Sequence, residues 1–218
     1  LSAVKRRLHC QQSGIDNLKE IGIIDNVYLV GNTMIDTQKK YLQQALDTKY
    51  HETLGVKSKG YVLITLHRPS NVDDLNKLKE IFDDFEELSK KETLVYPIHP
   101  RTKNNLEKLG YLQKVQENPN IILDEPLGYL EFTCLMAQCK YVVTDSGGLQ
   151  EECSYLNKKI IVCRKTTERP ESIGIHSFMC GEPELLEDLV DNMNKKFEVN
   201  TECPYGDGKS WENIKRIC

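Results

Sequence analysis

Long apolar runs are missing from this 218-residue chain: nothing approaches the roughly 18 consecutive apolar residues of a membrane-spanning helix. A soluble, cytoplasmic protein with no membrane partner is the expectation. Positive charge is short as well. Against 29 Lys and Arg stand 33 Asp and Glu, a net charge of −4, so the basic field of a nucleic-acid binder is absent. A small anionic ligand is still allowed, because it needs only local donors. Cysteine is sparse, with eight residues, too few for a disulfide scaffold. None forms Cys-x-x-Cys or pairs with His at zinc spacing, which leaves scattered thiols in a reducing compartment and no metal. Gly-x-Ser-x-Gly is absent, excluding a nucleophile elbow, and so is a Walker loop. There is no internal repeat and no low-complexity segment, and no signal peptide is expected. The first residue is Leu1 rather than Met, and the expectation is a piece of a longer protein.

What is present is a core-forming composition, 39% hydrophobic and 28% charged, with a regular pattern after Gly60. Short apolar runs at 61–66, 94–98, 120–123, 141–144 and 159–163 read as strands. Between them, spacing of three and four predicts helices over 73–90, 101–109, 128–138 and 149–156. Repeated strand–helix alternation means an α/β fold, a doubly wound parallel sheet of Rossmann type with helices on both faces. Residues 1–60 break this pattern. They read as a helix over 1–24, a strand over 27–30 and a long amphipathic helix over 33–50, too little to close a core alone. The tail offers a helix over 184–196, a turn over 204–208 and a last helix ending at Ile217. The expected division is 1–56, the end of a preceding α/β unit with its connecting helix; 57–200, the main domain; and 201–218, a tail helix.

In doubly wound sheets ligands bind at the carboxyl ends of strands, and several ends carry unusual residues. The first reads His67-Arg68-Pro69-Ser70-Asn71, where an imidazole beside a guanidinium holds phosphate, moves a proton, or simply caps a helix. The second reads Asp145-Ser146-Gly147-Gly148-Leu149-Gln150-Glu151-Glu152. Two glycines leave room for a phosphate against the first N–H groups of a helix, with the Ser146 hydroxyl beside them. Glu152, one turn in, is suited to sugar hydroxyls. A tight, Ser-capped turn is the alternative. The third, Cys163 to Glu171, mixes cations, hydroxyls and acids around Pro170, and is either a ligand loop or a solvated charged one. At the fourth, Tyr96 to Arg101, His99 reads first as a helix cap. Phe132 reads first as core.

Together with Gly31-Asn32-Thr33-Met34-Ile35-Asp36, Thr166-Thr167-Glu168-Arg169-Pro170-Glu171 and Pro204-Tyr205-Gly206-Asp207-Gly208, these motifs resemble the non-hydrolysing UDP-N-acetylglucosamine 2-epimerases, in the family's order and over almost the whole chain. The resemblance implies the second of two Rossmann-like domains in a GT-B-like arrangement. It also implies interconversion of UDP-GlcNAc and UDP-ManNAc. UDP leaves by anti elimination through 2-acetamidoglucal and adds back, without metal, nicotinamide or other cofactor. By the same resemblance Ser146, Gly147, Gly148 and Arg169 would hold the diphosphate, Glu152 the ribose, and Phe132 and Leu127 would lie by the uracil. His67 would be catalytic or meet the diphosphate. Arg68 and His99 would touch a second, activating UDP-GlcNAc of the kind some bacterial members bind. Relatives often read His-Arg-x-Glu-Asn; here Ser70 replaces the Glu. The family's main catalytic carboxylates lie in the first domain. The implied product is therefore a homodimeric enzyme when complete and an inactive UDP-binding half when not. A stand-alone UDP-sugar-binding or regulatory module, and a GT-B-like glycosyltransferase, are the alternatives.

Overall fold

The computed structural model describes residues 6–182, 186–195 and 199–218. At its centre six parallel strands form one sheet: β3 (Tyr61–Thr65), β4 (Thr93–Pro97), β5 (Ile121–Asp124), β6 (Val142–Thr144), β7 (Ile160–Val162) and β8 (Ser177–Met179). They lie in the order β5-β4-β3-β6-β7-β8. The chain steps outward from β3 to β5, returns across the sheet to β6 beside β3, and steps outward again. Parallel neighbours require crossovers. Helices supply most of them: α4 (Pro69–Val72) and α5 (Leu75–Ser89), α6 (Pro100–Lys108) and α7 (Leu112–Glu117), α8 (Tyr129–Gln138), and α9 (Gly147–Tyr155). A 3-10 turn at Pro170–Ser172 leads into β8, and α10 (Leu186–Lys195) follows it.

Burial on both faces explains the unbroken apolar strands. On one face Val62, Ile64, Tyr96 and Val143 pack with Phe82 and Phe85 of α5; on the other Tyr61, Leu63, Val95 and Val142 pack with Leu135 and Met136 of α8. Each fully buried Leu or Phe of this kind contributes about 1.5–3 kcal/mol. Buried tyrosines direct their hydroxyls to carbonyls, Tyr61 to Leu135 O at 2.7 Å and Tyr96 to Leu66 O at 2.9 Å. All eight cysteines are free. No described helix is long and apolar enough to cross a membrane.

Three expectations need correction. In place of a helix over 1–24, the described residues form a strand β1 (Arg7–His9) and a shorter helix α1 (Gln12–Glu20). β1 pairs in parallel with β2 (Val27–Leu29), forming a separate two-stranded sheet. Three residues carry no readable period, and the pairing, not the local propensity, decides. The sheet has a sixth strand, β8, for the same reason. The helix expected over 73–90 starts only at Leu75, because the Asp74 side chain accepts from the Asn76 and Lys77 N–H groups and caps it. The helix expected over 184–196 is α10; its expected ends lie partly outside the described residues.

The first segment continues into α2 (Thr33–Asp47), capped by Asn32, and α3 (Tyr50–Thr53). The tail returns to it as α11 (Ser210–Ile217). Asp36 of α2 accepts from Ser210 N at 2.9 Å and Trp211 N at 2.8 Å, and so caps α11 from another element. Asn32 N donates to Tyr205 O at 2.9 Å, and Asn213 Nδ2 to Val30 O at 3.1 Å. The approach needs two glycines: Gly31 at φ +86° and Gly206 at φ +111°, where a β-carbon on Gly206 would lie 3.3 Å from the Gly31 Cα.

Candidate functional site

The strand order reverses between β3 and β6, so a crevice opens at their carboxyl ends. The two ends are level. Thr65 pairs with Thr144, and their hydroxyls lie 3.3 Å apart. The next residues, Leu66-His67-Arg68 and Asp145-Ser146-Gly147, leave the sheet side by side.

Asp145 is the hinge pin of this corner. Its carboxylate is fully buried and accepts from His67 N at 3.1 Å, Arg68 N at 2.8 Å and Asn71 Nδ2 at 3.2 Å. His67 Nδ1 stands 3.3 Å from Asp145 Oδ1. The carboxylate therefore fixes the backbone of the first motif and faces one side of the imidazole, leaving Nε2 directed away from it. Asn71 also donates to Cys163 O at 3.0 Å, tying the ends of β3, β6 and β7 together. Neither Asp145 nor Asn71 was picked out by sequence reasoning, although both stand inside motifs it quoted. Their work depends on which strands are neighbours.

Ser146 is the N-cap of α9 but makes no side-chain capping bond. Among the described residues no acceptor meets the N–H groups of Gly147, Gly148 and Leu149. A nine-residue helix thus presents an open positive end at the crevice. Three arginines come from the loops beside it. Arg68 comes from the loop after β3. Arg164 and Arg169 come from the loop after β7. Arg164 Nη1 donates to Glu168 Oε2 at 2.8 Å. Arg169 Nε donates to the buried Glu151 carboxylate, and its Nη1 to Glu168 O at 3.1 Å. Burial raises the Glu151 pKa, with Arg169 opposing it. Gln150, buried in α9, accepts from Thr167 Oγ1 at 2.5 Å, and Tyr205 OH donates to Arg169 O at 3.2 Å. The loop carrying the arginines is thereby latched to α9 and to the tail.

Glu152 is buried one turn into α9, 8% exposed. Among the described residues no donor meets its carboxyl. Burial, helped by the Glu151 charge, pushes its pKa up to about 7. A carboxylate held like this is a strong acceptor awaiting hydroxyl donors. Leu127 and Phe132, at the end of β5 and in α8, are half-buried and pack against the apolar cluster on the α8 side. His99 caps α6, accepting from Arg101 N at 3.1 Å, as its spacing suggested, and its ring lies 6.2 Å from that of His67. The crevice therefore joins an anion seat, a hydroxyl acceptor and an oriented imidazole. Depth alone does not mark it. A depression of about 700 Å³, lined by Lys59, Lys158 and Ile175 among others, opens at the opposite ends of the strands.

A family model described as UDP-N-acetylglucosamine 2-epimerase matches residues 8–218. Two curated relatives with that name are similar over most of the chain. The one from Methanocaldococcus jannaschii is 37% identical over 93% of this chain and 57% of its own length. The one from Methanococcus maripaludis is 35% identical over 94% of this chain and 58% of its own. The chain thus spans a little under three-fifths of these relatives. A crystal structure of the Methanocaldococcus jannaschii UDP-GlcNAc 2-epimerase in complex with UDP-GlcNAc and UDP is 34% identical. It superposes with a TM-score of 0.87, covering 97% of this chain and 60% of the other.

Proposed function

The chain belongs to the UDP-N-acetylglucosamine 2-epimerase family, and from that premise we propose that it is the UDP-binding half of an enzyme interconverting UDP-GlcNAc and UDP-ManNAc. The observation that carries this reading is the open α9 N-terminus with the buried, unpartnered Glu152 one turn behind it. The first suits a diphosphate and the second, a buried acceptor, a ribose. Ser146, Gly147 and Gly148 receive the diphosphate and Arg169 flanks it. Leu127 and Phe132 support the uracil. His67, oriented by Asp145, faces the reacting sugar or the departing phosphate. His99 and Arg68 lie at the rim, where an activating second nucleotide-sugar would touch.

In this reading the C2 proton of the sugar is abstracted and the C1–O bond to UDP breaks in an anti elimination, giving 2-acetamidoglucal. Reprotonation at C2 from the other face and return of UDP to C1 complete the epimerisation. The abstracting groups come from a first Rossmann-like domain, of which residues 1–56 are the end, with 57–200 the UDP-binding domain and 201–218 a tail helix returning to the first. The exposed apolar side chains of that segment, Leu8, Ile21, Ile24 and Leu29, support a packed neighbour there. The complete enzyme is a homodimer. The 218 residues bind UDP and do not turn over alone.

Calorimetric titration tests the binding half: UDP binds and uridine binds far more weakly. Incubation of the full-length protein with UDP-GlcNAc in deuterated water tests the reaction, with deuterium expected at C2 of the recovered sugar nucleotide. Absence of UDP binding, absence of C2 exchange, or robust turnover by the 218-residue chain each overturns the corresponding part.

A further inference from the structure

An acid stands where the anion is proposed to bind. Glu168 Oε2 accepts from Arg164 Nη1 at 2.8 Å, and its Oε1 lies 3.8 Å from Arg68 Nη2. A β-carbon on Gly147 would stand 2.7 Å from Glu168 Oε1 and 3.3 Å from Arg164 Nη1. The ion pair therefore lies directly against the bare backbone of the first residue of α9. Partial burial works against the Glu168 charge, but its own backbone N–H, Arg164 and Arg68 prevail and hold its carboxyl below the usual range.

We propose that Glu168 is a resident stand-in for phosphate, and that Arg164 is a diphosphate-binding residue which the ligand takes over by displacing it. The inference rests on the nucleotide reading of the site. Two anions cannot share one guanidinium and one helix N-terminus without repulsion. The exposures set which partner leaves. The Arg164 side chain is 17% exposed and that of Glu168 48%. An unpaired, mostly buried guanidinium is costly, so Glu168 keeps Arg164 satisfied while the site is free, and itself moves into water cheaply. The backbone need not follow, because Glu168 O is held by Gln11 Nε2 at 3.0 Å and by Arg169 Nη1 at 3.1 Å. Only the side chain swings. A ligand must bring enough charge to replace a carboxylate, which favours a diphosphate over a monophosphate or a neutral nucleoside.

The test is calorimetric titration of UDP into the 218-residue chain at fixed ionic strength, with each variant checked for an unchanged melting transition. Glu168→Gln keeps the shape and removes the competing charge. It binds UDP about two- to fivefold more tightly, the range of a partly exposed ion pair. Arg164→Met binds about tenfold more weakly. In the Arg164→Met background the gain from Glu168→Gln falls below about 1.5-fold, since the shared guanidinium is gone. Unchanged or weaker binding by Glu168→Gln overturns the proposal. So does an equal gain in both backgrounds, which is the signature of long-range repulsion alone. Failure of both the wild-type chain and Glu168→Gln to bind UDP overturns the nucleotide reading itself, and this inference with it.

Discussion

Replacing Glu152 by Gln separates what this side chain does for the fold from what it does for a ligand. Glu152 is buried beside Glu151, and burial first, then that neighbouring charge, raises its pKa from 4.5 to about 7. A carboxyl that holds its proton more tightly folded than unfolded favours the fold while protonated. That contribution is complete below pH 4.5 and is lost as pH climbs to about 7. At about 1.4 kcal/mol per pH unit the loss approaches about 3 kcal/mol. Gln keeps the shape and carries no charge to bury. Urea denaturation followed by circular dichroism at pH 8 should therefore find Glu152→Gln about 2–3 kcal/mol more stable than the wild type. The gap should close toward pH 5. The same substitution should weaken UDP binding by about 1.5–3 kcal/mol, because a charged acceptor for the ribose is lost. Wild-type affinity should itself rise between pH 6 and 8 as the proton leaves. Titration in buffers of different ionisation enthalpy counts that proton. A gain in stability paired with a loss in binding marks a residue kept for its ligand. The reasoning fails if the variant is no more stable at pH 8, or if it binds UDP as the wild type does.

Two further substitutions probe the frame around the site. Asp145→Asn offers one acceptor oxygen and an unwanted donor to the three N–H groups now bonded to the carboxylate. It should lower stability by about 2–4 kcal/mol, and nitrogen NMR of the His67 ring should register a changed tautomer balance. An unchanged ring spectrum would separate Asp145 from His67. Gly31→Ala places a β-carbon 2.7 Å from Ser210 Oγ at φ +86°. It should cost about 1–3 kcal/mol, read as a lowered melting temperature; a melt equal to that of the wild type would refute the close approach.

The alternation of strand and helix after Gly60 was legible because parallel strands buried on both faces are short, apolar and flanked by helices of clear period. Strands β1 and β8 were not, since three residues each have no period and form by pairing. The glycine turn of α9 was legible for a local reason: Ser-Gly-Gly directly after a strand marks a helix N-terminus. His99 as a cap was legible in the same way. Asp145 and Asn71 were hidden because the partners through which they join strand ends lie 74 to 92 residues away, and Glu168 because one of its two arginines, Arg68, lies 100 residues away. Only the strand order brings those ends together. The family resemblance implies Arg169 at the diphosphate; that its Nε donates to Glu151 in the free chain was not legible. The charge pattern of that loop could not assign which arginine pairs with which acid.

The clasp between tail and head has a spectroscopic consequence. The chain contains one tryptophan, Trp211, and its backbone N–H is bonded to Asp36 in the first turn of α11. Eight residues are too few to hold a helix in water unaided. The placement of that indole therefore depends on the bonds that Ser210, Trp211 and Asn213 of α11 make with Asp36 and Val30. Emission excited in the indole's red edge reports on the junction of α2 and α11, while far-ultraviolet dichroism reports on the sheet and its helices. Followed together during unfolding, the two signals reveal whether head and tail melt with the central domain as one unit or part from it first.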